Sequence, residues 1–146
     1  MRLLSLVLVA ALGVSGCSEP TKEQQRAEYC GMVKDASGEL TRIADEGGTG
    51  AFLDALPTLR KLADAAPADL ADEWASYLGA LEGLDRALDR AGLAPSALAA
   101  PFGADVSEKD RAAITDAVRT IGSAEVRGAA TGITQQALDV CNTQIL

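Results

Sequence analysis

Residues 68–92, ADLADEWASYLGALEGLDRALDRAG, form the stretch that decides the fold. The large apolar side chains recur at alternating spacings of four and three, which places them on one face of an α-helix. They are Leu70, Trp74, Tyr77, Leu81, Leu84 and Leu88. A glycine commonly ends a helix, and Gly92 closes this one. The pattern predicts a long amphipathic helix, and we expect Trp74 and Tyr77 to lie in the core.

Two more helices are predicted before this stretch. The first begins at Thr21, which matches a capping box with Gln24, and ends at the glycines around position 48. The second covers residues 51–66, where Pro57 either kinks the helix or lies in the first turn of its second half.

Two further helices are predicted after it, beyond a connection at residues 93–106 that is rich in proline and glycine. Ser107 with Asp110 begins one helix, and residues 122–123 separate it from the last, which contains Cys141. Alternating runs rich in valine, isoleucine and threonine, which would predict strands, are absent. The sequence therefore predicts an all-α protein, an antiparallel bundle of four to five helices.

Residues 1–16 have the features of an export signal. Arg2 supplies the positive charge, and residues 3–14 are apolar apart from Ser5 and Gly13, which is the usual length of a signal-peptide core. A membrane-spanning helix needs about 20 apolar residues. We therefore expect this segment to be cleaved rather than to remain in the membrane.

The segment Val14-Ser15-Gly16-Cys17 resembles the lipobox of bacterial lipoproteins. In that family cleavage falls before the cysteine, the thiol receives a diacylglycerol, and the new amino terminus can be acylated, typically with palmitate. The resemblance implies lipidation of Cys17, residues 17–21 as a short tether, and a location at the extracytoplasmic face of the cell membrane. The alternative is conventional cleavage, which would give a secreted protein with an unpaired thiol at Cys17.

Length and charge limit what the rest of the chain can be. Removing residues 1–16 from the 146 leaves 130 residues, so residues 22–146 are expected to form a single helical domain. The chain has 13 basic and 21 acidic residues, a net charge of −8, which argues against a nucleic-acid partner. The same charge disfavours adhesion to anionic lipid, so attachment to the membrane would depend on Cys17.

Cys30 lies early in the first predicted helix and Cys141 late in the last. With Cys17 assigned to the anchor, they form an even pair in an oxidising compartment, which favours a disulfide between the first and last helices. The alternative is a redox-active pair, but the chain has no Cys-x-x-Cys motif and no histidine to lower a thiol pKa.

From Cys30 to Cys141 the chain is similar to small, alanine-rich extracytoplasmic lipoproteins of high-GC Gram-positive, or actinobacterial, type. The shared features are a cysteine early in the first helix, LADAAP at residues 62–67 before the central helix, and a cysteine in the last helix. The resemblance implies the same compartment and fold. It supplies no catalytic residue.

The residue types exclude much of enzyme chemistry. The chain has no histidine, the usual general base and the commonest zinc ligand, and no Gly-x-Ser-x-Gly or phosphate-loop motif. Acidic residues cluster at 69–73 and 105–110, where they are expected to cap helices; a calcium or substrate site is the alternative, but EF-hand spacing is missing. We therefore expect no enzyme, no metal and no cofactor.

Two functions remain as expectations. The first is a membrane-anchored binding module for another envelope protein, with Phe102 as an exposed contact. The second is a carrier or sensor that holds an apolar small molecule between its helices, in a cavity lined by Leu81, Ile114 and Ile133. A paired-carboxylate enzyme is a third and more distant hypothesis.

Overall fold

The computed structural model describes residues 20–48 and 50–146, so the expected export signal, the lipobox-like segment and Cys17 lie outside the described residues. The described ranges contain six α-helices and two 3₁₀ turns and no strand. The helices are α1 (Lys22–Glu46), α2 (Ala51–Asp54), α3 (Leu56–Ala65), α4 (Ala71–Ala91), α5 (Glu108–Ile121) and α6 (Ala124–Cys141). The 3₁₀ turns are Ala68–Leu70 and Pro95–Ala99. The expected all-α bundle is confirmed.

Helix α4 is the centre of the bundle, as its apolar pattern predicts. It packs against α5, α6, α3 and α2, while α1 packs against α3 and α6. Trp74 and Tyr77 are 2% and 7% exposed, which confirms their expected place in the core. Their ring centroids lie 6.4 Å apart in an edge-to-face arrangement, the geometry that aromatic quadrupoles favour.

The predicted helix starts are built from local side-chain hydrogen bonds. The backbone N–H of Gln24 donates to the Thr21 hydroxyl at 3.2 Å, and the Thr21 N–H donates to the Gln24 side chain at 2.8 Å. Ser107 caps α5 in the same way, since its hydroxyl accepts from the Asp110 N–H at 3.1 Å. Each such cap satisfies backbone donors that the first helical turn leaves without a partner.

The segment 51–66 is two helices rather than one. Helix α2 ends after a single turn, and α3 begins beyond Ala55, a buried residue that separates them. Pro57 lies in the first turn of α3, where its missing N–H has no helical partner to lose. Of the two alternatives for Pro57, a kink in one helix is therefore wrong, and a place in the first turn of a second helix is correct.

The start of α4 also differs from the expected acidic cap. The 3₁₀ turn Ala68–Leu70 leads directly into α4, and no side chain caps the helix. Asp72 and Glu73 remain in the first turn, where a negative charge interacts favourably with the helix dipole. The prediction that these carboxylates cap the helix by hydrogen bonds is therefore wrong.

A disulfide joins α1 to α6, as expected. Cys30 and Cys141 are bonded with their Cα atoms 5.0 Å apart, across a sequence separation of 111 residues. Cys141 is buried and Cys30 is half-buried. The bridge fixes the beginning of the first helix against the end of the last.

Two glycines of α4 should respond in opposite ways to the same substitution. Gly92 ends the helix at φ +67°, so Gly92→Ala should lower the free energy of unfolding by about 1 kcal/mol. Gly79 is exposed within the helix and an added Cβ meets nothing within 4 Å, so Gly79→Ala should raise it by about 0.8 kcal/mol. Urea unfolding of the two variants measures both effects, and a shift of the same sign in both would contradict the prediction.

Candidate functional site

Two concavities of the described residues have linings that bear on function. The larger, which we call the tether-end groove, has a volume of about 1400 Å³. It lies between the first turns of α1, the end of α3 with the following 3₁₀ turn, and α6. Its lining residues are Lys22, Glu23, Gln25, Arg26, Glu28, Met32, Lys61, Asp64, Ala65, Ala66, Pro67, Ala68, Asp69, Gln136 and Val140.

The tether-end groove combines charges of both signs with apolar surface. Three of its residues are basic and four are acidic, and nearly all of these side chains are exposed. Met32, Pro67 and Val140 supply apolar area, and Val140 is among the few large apolar side chains that remain exposed. Apolar contacts within a polar, mixed-charge rim are characteristic of surfaces that bind other proteins.

Three buried polar atoms have no hydrogen-bond partner among the described residues. They are Tyr29 Oη, Trp74 Nε1 and Gln136 Oε1. Burial raises the pKa of the Tyr29 phenol. Of the three residues, Gln136 lines the tether-end groove. Its carbonyl oxygen is an acceptor that the described part of the fold leaves unused there.

The smaller concavity, which we call the apolar pocket, has a volume of about 330 Å³. It is formed by the loop after α1 together with α2, α4, α5 and α6. Its lining residues are Gly47, Gly48, Phe52, Tyr77, Leu81, Ile121, Val126, Arg127 and Ala130. A small, mostly apolar concavity with few polar groups is the usual form of a small-molecule site.

Tyr77 brings a neutral hydrogen-bonding group to the wall of the apolar pocket. Its hydroxyl makes no hydrogen bond to any other residue that the structure describes. Burial raises the pKa of Tyr77 to about 12, so the phenol stays protonated at neutral pH. It can therefore donate one hydrogen bond as well as accept.

The burial of Tyr77 also predicts an alkaline loss of stability. The unfolded phenol ionises near pH 10.0 and the folded one near pH 12, so the unfolded state binds fewer protons between these values. The stabilising contribution is complete below pH 10 and falls by about 1.4 kcal/mol per pH unit above it. Urea unfolding at about pH 9 and about pH 11 should show a steeper loss for the wild type than for Tyr77→Phe. Equal losses in the two proteins would contradict this assignment.

Arg127 is the second polar group of the apolar pocket. It is exposed, and its Nη1 donates to the Gly122 carbonyl oxygen, which holds the side chain beside the turn between α5 and α6. A guanidinium has five N–H donors in a planar fork, so the remaining donors are available to a ligand. Among the described residues Arg127 forms no ion pair with a carboxylate.

The predicted site residues are distributed between core, surface and pocket. Cys30 and Cys141 form the bridge, and Phe102 is half-buried and packs against the core. Of the expected cavity residues, Leu81 lines the apolar pocket, whereas Ile114 and Ile133 are buried in the core and do not.

Most residues of the apolar pocket, Phe52, Ile121 and Arg127 among them, were not expected to line a cavity. Ile121 follows Ile114 and Val118 at the spacings of four and three that are typical of a core-facing stripe. An exposed arginine on a helix gives no sequence signal of its own. The sequence signal that could have indicated the pocket is the interruption at residues 122–123, because the chain turns there between the end of α5 and the start of α6.

No group of three or more histidine, cysteine, aspartate or glutamate side chains in the described ranges could hold a metal ion. No helix there has the length and apolar character needed to span a membrane.

Comparison of the chain with protein-family models, with curated proteins and with solved structures found no match.

Proposed function

We propose that this chain is a membrane-anchored extracytoplasmic lipoprotein that acts as a binding module for another envelope protein. The observation that carries the proposal is the position of the tether-end groove. It includes the first residues of α1, which begins at Lys22, five positions after the cysteine of the lipobox-like segment. A groove at the anchored end of the domain faces the proteins that share the membrane surface.

The tether sets the reach of the domain. Residues 18–21 separate Cys17 from α1, and four residues span at most about 14 Å when extended. A bundle held so closely reaches partners in or on the same membrane. The exposed charges of both signs in the groove favour a protein surface over an anionic lipid surface, which its acidic residues would repel.

The lipid anchor is tested by the intact mass of the protein made in a bacterial host that processes lipoproteins. Wild-type protein should have the mass of residues 17–146 plus a diacylglycerol, and Cys17→Ala should lack the lipid. Thiol labelling should require prior reduction, because Cys30 and Cys141 are paired. An unlipidated wild type with a reactive Cys17 would contradict the anchor.

The binding surface is tested by site-specific photo-crosslinking in intact cells. A photoreactive residue at Gln25, exposed in the tether-end groove, should give a discrete adduct with an envelope protein that mass spectrometry identifies. The matched control is Thr131, which is exposed on α6 outside the groove. The adduct should disappear in Cys17→Ala. Equal adducts from both positions, or none from Gln25, would contradict the proposal.

The apolar pocket supports a second candidate function, a carrier or sensor for an apolar small molecule. Its walls include Leu81, one of the residues expected to line such a cavity, and its volume of about 330 Å³ suits a small ligand. The half-buried Phe52 and Ile121 leave part of their apolar surface in contact with solvent, which a ligand would cover.

A further inference from the structure

The apolar pocket differs from the rest of the molecule in the sign of its charge. The chain has a net charge of −8. Among the described residues that line the pocket, however, one is basic, Arg127, and none is acidic. The tether-end groove, by contrast, has four acidic residues. A cation without a paired carboxylate at the edge of an apolar concavity favours a ligand with an anionic group.

We propose that the apolar pocket binds a single-chain amphiphile with an anionic head group, a carboxylate or a phosphate monoester, a proposal that rests on the second candidate function. The apolar chain lies against Phe52, Leu81 and Ile121, and the head group is bound by Arg127 and Tyr77. Both head groups have the chemistry that a guanidinium fork recognises, two or more oxygens with delocalised negative charge.

Tyr77 distinguishes this pocket from an apolar gap between helices. The residue is 7% exposed, lines the pocket, and its hydroxyl has no partner among the described residues. The hydroxyl is not one of the buried side-chain atoms without a partner, so it is accessible to solvent and can donate to a ligand oxygen. The neutral phenol and the charged guanidinium thus supply two kinds of donor to the lining of one pocket.

Trp74 provides a direct measure of binding. It is the only tryptophan of the chain, and its ring centroid lies 6.4 Å from that of Tyr77. We would titrate the folded, disulfide-bonded protein with decanoate and with decyl phosphate, each below its micelle concentration, and with 1-decanol below its solubility limit. Fluorescence of Trp74 and calorimetry should both report saturable binding, with decanoate or decyl phosphate at least about tenfold tighter than 1-decanol.

Arg127→Gln tests the head-group contact. It should weaken binding of the preferred anion about tenfold and leave binding of 1-decanol unchanged. Arg90→Gln is the matched control, because Arg90 is exposed on α4 and does not line the pocket. Tyr77→Phe should weaken the anion several-fold with little effect on the alcohol. Comparison of decanoate with decyl phosphate identifies which head group the site prefers.

Ala130→Phe tests whether the ligand occupies the pocket. Ala130 is half-buried in the pocket wall, so the larger ring should fill the space and abolish binding of all three probes. Ile121→Phe, at the end of α5, is a second filling variant if the first disturbs folding, and circular dichroism verifies that the helices are intact.

The outcomes separate the proposal from the function on which it rests. If 1-decanol binds and Arg127→Gln changes no affinity, the anionic head group is wrong while the apolar ligand stands. If none of the probes binds to the wild type, both are wrong. If binding persists in folded filling variants, the ligand lies elsewhere and the proposal is overturned.

Discussion

The double replacement Cys30→Ala with Cys141→Ala is expected to lower the free energy of unfolding by about 5 kcal/mol. The bridge closes a loop with a sequence separation of 111 residues, and in the chain-entropy model a loop of this length removes about that much from the unfolded ensemble. Domains of this size are stable by about 5 to 15 kcal/mol. The substitution should therefore remove at least about a third of the stability of such a domain.

Urea unfolding followed by far-ultraviolet circular dichroism measures this change. Wild-type protein in a strong thiol reductant is the matched control, because it loses the same bond without a change of side chain. The two should unfold at similar urea concentrations. A loss of less than about 1 kcal/mol in both would show that α1 and α6 hold their positions without help from the bridge.

Leu84→Ala is expected to cost about 3 to 4 kcal/mol. Leu84 is 0% exposed, and it lies on α4, the helix that packs against four other helices. Removal of its isobutyl group forfeits the burial of apolar surface and leaves a cavity that surrounding helices can fill only in part. Because α4 takes part in most of the helix–helix interfaces, a shift of one neighbouring helix into the cavity would disturb the packing of α4 against the others.

Leu138→Ala is the matched control, since it makes the same change in a helix at a side chain that is 39% exposed. Its cost should stay below about 1 kcal/mol. Urea unfolding of both variants gives the comparison. Equal costs would mean that the centre of the bundle collapses around the missing side chain more completely than its packing suggests.

The features predicted correctly from the sequence are those set by residues close together along the chain. The spacing of the apolar residues from Leu70 to Leu88 places them on one face of one helix, so it predicts α4 and its buried side chains. Thr21 with Gln24 specifies a cap within three residues. The disulfide is an exception, because Cys30 and Cys141 are the two cysteines that remain when Cys17 is assigned to the proposed anchor.

The features missed depend on contacts between distant segments. The apolar pattern continues through Ala55, so it does not predict the break between α2 and α3 there. At this break α2 packs against α4 and against the 3₁₀ turn at Pro95–Ala99. An added Cβ at Gly50 would lie 2.5 Å from the Pro95 carbonyl oxygen, so the segment before α2 passes close to that turn. Such an approach cannot be read from a local pattern.

The apolar pocket was only partly predicted for the same reason. Leu81 was expected to line a cavity, but its partners were chosen from the strongest apolar stripes. Ile114 and Ile133 belong to those stripes, and both are buried members of the core. The space lies where the stripes end, between Ile121 and Val126, at the turn from α5 to α6.

The bridge between α1 and α6 also bears on how the domain would respond to proteases. The connection at residues 100–105 is exposed at every position except Phe102, which makes it an accessible place for cleavage. A single cut there would divide the chain into a fragment with α1 to α4 and a fragment with α5 and α6. Cys30 and Cys141 lie in different fragments, so the pair would stay covalently joined and the second fragment would not be shed.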